Sequence, residues 1–135
     1  MDFLYSIARH NDLGCELDVQ ALPVPLAARR NLSLFASIEP RAAKVLHRIP
    51  ELIALEPGYD SPLRHAFTIR PEMLSLAQEV FQEHGDNLYD IGQVTSEPAV
   101  VLRDAESRSE IPPFWDDQLR QESTLGAWVK FLEEF

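Results

Sequence analysis

Proline placement most constrains what this chain can fold into, because prolines stand at the ends of nearly every element the sequence outlines. A prolyl nitrogen cannot donate to a helix or to a sheet ladder, so each proline limits how far an element runs. Residues 16–22 alternate polar and apolar with period two, the pattern of a half-buried strand, and Pro23 and Pro25 stop it. Pro40 sits near the first turn of a helix formed by residues 41–48, and Ile49-Pro50 breaks or kinks that helix before residues 51–55 extend it by a turn. Glu56-Pro57-Gly58-Tyr59-Asp60-Ser61-Pro62 is the strongest loop signal, and any internal hinge belongs there. Pro98 leads into residues 99–103, a compact β-branched strand closed by the polar run 104–110. After Pro112 and Pro113, Ser123 or Thr124 caps a last helix in which Leu125, Trp128, Val129 and Leu132 form an amphipathic stripe.

Residues 71–94 can be read in two ways. As a helix, Met73, Leu74, Ala77, Val80 and Phe81 share one stripe and Gly85 is the C-cap. As a hairpin, residues 79–84 and 88–94 are strands flanking the turn residues Gly85-Asp86-Asn87. Local periodicity favours the helix, whereas the turn and the β-rich run after it favour the hairpin. Segments 3–8, 31–38 and 63–69 are short, and only the first suggests a helix.

A family pattern bears on that choice. Val80-Phe81-Gln82-Glu83, a turn, Leu88-Tyr89-Asp90-Ile91, Ser96-Glu97-Pro98-Ala99-Val100 and the terminal Leu125-Gly126-Ala127-Trp128-Val129-Lys130-Phe131-Leu132 follow one another in residues 78–135. This order resembles the C-terminal half of SUKH-superfamily domains, in which a strand pair precedes an Asp/Glu-Pro-x-Val strand and a closing helix. The resemblance implies the hairpin, with strands at 79–84, 88–94 and 99–103 in an antiparallel sheet. The expected class is therefore α+β: a small antiparallel sheet packed with helices and an amphipathic C-terminal helix. The resemblance also implies an immunity protein, which binds and neutralises a toxin encoded beside it.

Length and charge narrow the function classes. At 135 residues the chain suits one domain, 1–135, with a core that needs no staples. The net charge is −10, which argues against general binding to nucleic acid and against adhesion to anionic membranes. The charge is uneven: residues 1–48 carry +1, residues 49–78 carry −2 and residues 79–135 carry −9. That last segment is rich in large apolar residues, so it is a folded acidic surface and not a tail. Cys15 stands alone, which precludes an intrachain disulfide. No apolar run is long enough to span a membrane and Met1-Asp2-Phe3 lacks the basic start of a signal peptide, so a soluble cytoplasmic protein is expected.

Catalytic and metal-binding signals are sparse. The chain contains no Gly-rich phosphate loop, no Cys-x-x-Cys, no His-Glu-x-x-His and no Gly-x-Ser-x-Gly. Of four histidines, His84 has the best surroundings, with Glu83, Asp86 and Asp90 nearby, but a metal site usually recruits a second His or Cys. Cys15 beside a strand reads as a small core residue. No cofactor, metal or catalytic residue is assigned. An enzyme with a dispersed hydrolytic site is the competing class.

The expected function is therefore protein binding: an inhibitor that meets a basic toxin domain through an acidic surface. Its partner-binding residues are Glu83, Asp86, Asp90, Phe114, Trp115, Asp116 and Asp117. In Ile111-Pro112-Pro113-Phe114-Trp115, prolines with pre-set dihedrals present two aromatics beside Asp116 and Asp117, and aromatics are enriched at binding hot spots. The alternative is that Phe114 and Trp115 tuck into the core. A secretion chaperone, or a phage inhibitor of a host defence complex, would have the same length and charge.

Overall fold

The strand expected at 16–22 is realised only as far as Asp18: it begins at Gly14, and residues 19–21 leave it as a 3-10 turn before Pro23 is reached. A computed structural model describes residues 12–23, 40–55, 66–105, 107–111 and 124–135. Strand β1 runs over Gly14–Asp18 and passes into a single 3-10 turn, Val19–Ala21. Cys15, Leu17 and Val19 are buried while Glu16 and Asp18 lie toward solvent, as the period of two requires. The Asp18 carboxylate accepts from the Gln20 amide (3.0 Å) and caps the turn.

Three further strands complete a sheet of order β2-β1-β3-β4, with β2 at Gly92–Thr95, β3 at Val100–Asp104 and β4 at Ser107–Glu110. The central pair is parallel, with Cys15 opposite Val100 and Leu17 opposite Leu102, while β1–β2 and β3–β4 are antiparallel. The class is α+β as expected, but the sheet is mixed and not the antiparallel one expected, because β1 and β3 run parallel. Because β1 lies between β2 and β3, the chain from 96 to 99 must cross the start of β1. Gly14 permits that crossing: a Cβ there would collide with the backbone of Glu97 and Ala99, and the Cys15 amide donates to the Ala99 carbonyl (3.0 Å).

Helix α1, Pro40–Arg48, starts at its proline and ends before Pro50, and the 3-10 segment Pro50–Leu55 supplies the extra turn. Helix α2 covers Leu74–Glu83, preceded by a 3-10 turn at Pro71–Met73, and helix α3 covers Thr124–Glu134. One face of the sheet (Cys15, Leu17, Val100, Leu102) shares a core with Leu46, Leu52, Ile53, Leu55, Trp128, Val129 and Leu132. Trp128 and Leu132 are fully buried, as the stripe on the last helix predicts. Arg41 of α1 pairs with Glu133 of α3 (3.4 Å), which offsets an acid at the carbonyl end of the helix. On the opposite face of the sheet Glu16, only 13 % exposed, sits between Arg108 (2.7 Å) and Arg103 (3.5 Å), and Arg103 also reaches Asp18 (3.7 Å).

Other expectations are corrected as well. Residues 79–84 are not a strand: 79–83 belong to α2, His84 is its C-cap, and Gly85-Asp86 closes the helix end rather than forming a hairpin turn. Gly85 adopts a left-handed conformation (φ 80°), with its amide donating to Gln82 and that of Asp86 to Phe81, the paired bonds of a Schellman-type cap. The strand expected at 88–94 is shortened and shifted to Gly92–Thr95, and its antiparallel partner is β1 and not residues 79–84. The polar run 104–110 also holds β4, turned back by Ala105 at a left-handed φ of 51°. Segments 3–8, 31–38 and 56–62, residues 63–65, and Ser123 lie outside the described residues.

Candidate protein-binding surface

The expected site residues fall into two groups. Phe114, Trp115, Asp116 and Asp117 lie outside the described residues. Glu83, Asp86 and Asp90 are described and all exposed, at the end of α2, in its cap and on the approach to β2. Asp90 accepts from the Gly92 amide (3.4 Å), which fixes the turn into the strand, and the Asp18 amide donates to the Ile91 carbonyl (2.9 Å), extending the β1–β2 ladder. Gly92 is needed there, because a Cβ would meet the Glu16 carbonyl on β1.

The same segment carries apolar residues that the fold does not cover. Among the described residues, seven of the eight exposed large hydrophobics lie between positions 67 and 94: Phe67, Ile69, Met73, Leu76, Val80, Tyr89 and Val94. Isolated exposed apolar residues are ordinary, whereas a run of them on one segment is the informative observation. Helix α2 contributes no buried residue to the core. Its half-buried side is Leu74, Ala77 and Phe81, and Phe81 stacks on Phe67 with ring centroids 6.2 Å apart. The stripe expected on this helix therefore splits, since Leu74, Ala77 and Phe81 are partly covered and Met73 and Val80 face water. Leu76, 53 % exposed, and Tyr89, 55 % exposed, were not singled out by periodicity. Val94 pairs with buried Cys15 in the sheet register, so it points to the core side of the sheet, where β2 extends past the cover.

Electrostatics give this surface a sign. Residues 71–102 contain six acids (Glu72, Glu79, Glu83, Asp86, Asp90, Glu97) and no lysine or arginine. Among the described residues, none of the six takes part in an ion pair. The arginines of the sheet lie elsewhere, engaged with Glu16 and Asp18.

Chemistry has less to work with. His84 Nδ1 donates to the Val80 carbonyl (2.8 Å), so the imidazole helps to close the helix end. Among the described residues, no three His, Cys, Asp or Glu side chains converge as a metal would require. Cys15 is buried in β1, and burial pushes its thiol up to about 11, so it is a protonated core residue at neutral pH, as the sequence suggests. Among the described residues, no helix is long and apolar enough to cross a membrane.

No protein-family model, no curated protein and no solved structure matches this chain.

Proposed function

We propose that this chain is a protein-binding inhibitor, an immunity protein that neutralises a cognate bacterial toxin by occupying the toxin's basic cleft. The observation that carries the reading is the segment from Phe67 to Val94, where exposed apolar side chains lie among six acids without a lysine or arginine between positions 71 and 102. Toxins that act on nucleic acid need a basic cleft, and an acidic protein is steered to such a cleft and competes there with the phosphate chain. Apolar groups at the centre of the contact then slow dissociation, while the charges mainly raise the association rate. The likeness to SUKH-superfamily domains adds support through the Glu97-Pro98 strand entry and the closing helix.

Co-expression tests this reading. The product of the gene adjoining this one is expressed alone and together with the chain, then purified. The expected results are growth arrest by the neighbour alone, rescue by the chain, and a complex whose association slows at least about tenfold on Asp86→Lys/Asp90→Lys at low salt. A neighbour that is harmless, or a toxin that the chain neither binds nor silences, contradicts the proposal.

A further inference from the structure

We infer that helix α2 is the docking element of this surface and that its occupant is a basic amphipathic helix of the partner. The inference rests on the reading of residues 67–94 as the partner face, and it adds what binds there and how.

The geometry follows from the helical period. Projected at 100° per residue within α2, Leu76 and Val80 lie roughly 40° apart and Glu79 and Glu83 fill roughly 40° directly beside them, while Glu72 and Met73 sit in the 3-10 turn that leads into the helix. All six side chains are exposed. The other flank of the apolar stripe is the Ala77/Phe81 side, half-buried with Phe67 packed on Phe81. The helix thus presents one apolar seam with glutamates along one edge only.

That arrangement is unfavourable for α2 alone. Glu79 and Glu83 are four residues apart, where like charges repel on a helix surface. At ten residues the helix is shorter than the ~12–15 that make an isolated helix marginal in water. Its seam, with Leu76 53 % and Val80 44 % exposed, adds no fully buried side chain to offset either effect. A partner helix supplies what is missing: an apolar stripe for Met73, Leu76 and Val80, and a row of lysine or arginine facing the glutamates, as flanking charges do across coiled-coil seams.

Charge also rejects the other occupants. A second copy of this chain brings the same three glutamates and no cation anywhere from residue 71 to 102. An anionic lipid surface would meet the glutamate row with like charge.

The test uses the full-length chain and three synthetic 21-residue helical peptides with one leucine stripe each. One carries lysines along one flank of the stripe, one carries glutamates there, and one has the lysines scattered around the helix. Fluorescence anisotropy should show the lysine-flanked peptide binding at least about tenfold more tightly than either control. Leu76→Ser should weaken that binding by about tenfold, and Glu79→Lys/Glu83→Lys should reverse the preference to the glutamate-flanked peptide. All three substituted residues are exposed, so the fold is preserved. No binding of the lysine-flanked peptide, a preference that charge reversal leaves unchanged, or a dimer of the chain that Leu76→Ser dissociates would overturn the inference. The same variants against the toxin separate the two levels. Sensitivity to Asp86→Lys/Asp90→Lys with indifference to Leu76→Ser and Glu79→Lys/Glu83→Lys removes the helix mode and keeps the inhibitor reading. Indifference to all three removes residues 67–94 as the partner face, and a chain that neither binds nor silences the toxin removes the inhibitor reading itself.

Discussion

Helices α2 and α3 are nearly the same length and carry similar apolar periodicity, yet one is consumed by the fold and the other is left over. In α3, Trp128, Val129, Phe131 and Leu132 are buried against the sheet and the segments at 40–55. In α2 and the turn that leads into it, Met73, Leu76 and Val80 are exposed and no residue is buried. An amphipathic pattern therefore specifies a helix with something to cover, but not whether the cover comes from the same chain. The neighbouring charges carry that second message. The acid at the end of α3, Glu133, is answered by Arg41 from within the fold, while the row Glu72, Glu79, Glu83 has no such partner among the described residues.

The contrast can be broken first at its buried end. Trp128→Ala removes a fully buried indole and should cost about 3–5 kcal/mol in urea or thermal unfolding. A loss below ~0.5 kcal/mol would make the two helices equivalent and dissolve the distinction. A smaller effect is expected where the acidic segment joins the sheet. Gly92→Ala drives a Cβ into the Glu16 carbonyl, so it should lift β2 from β1 at a cost of about 1–3 kcal/mol while leaving β3 and β4 protected from hydrogen exchange. Protection unchanged on both sides of β1 would show that the close approach is not needed.

Cys15 sharpens the comparison through pH. Its thiol is held up to about 11 by burial, above its value in the unfolded chain, so the folded state keeps a proton that the unfolded state loses. Its contribution to stability is therefore complete below about pH 9 and declines as pH rises from there through about 11. Cys15→Ala should flatten that part of the pH–stability curve relative to the parent, measured by chemical denaturation. Identical curves above pH 9 would mean that the thiol is not in the core.

How much of this was legible follows the range of the interactions involved. Local rules located α1 by Pro40 and Pro50 and the buried face of α3 by its stripe. The alternation of 16–22 marked the buried side of β1 but placed the strand too late in the chain, its second half being a 3-10 turn. The helical period of residues 73–81 was legible too, and the resemblance to a family with a strand pair argued against it. Strand β4 escaped because Ser107–Glu110 contains no apolar residue; at a sheet edge its backbone pairing with β3 suffices. The parallel pairing of β1 with β3 joins segments far apart in sequence, and no local pattern encodes it. Of the candidate site, the exposed acids Glu83, Asp86 and Asp90 came from charge distribution alone. Leu76 and Tyr89 escaped because periodicity marks a residue as apolar, whereas exposure depends on what the rest of the chain leaves uncovered.

The central claim, that the seam of α2 is not used by the fold, is tested most directly by the unfolding free energy of Met73→Ser/Leu76→Ser/Val80→Ser in urea. Three covered side chains of this size would lose about 2–5 kcal/mol each on truncation. With all three facing water, the triple variant should unfold within about 1 kcal/mol of the parent and with the same denaturant slope. A loss comparable to that of Trp128→Ala would place the seam in the core and contradict the account.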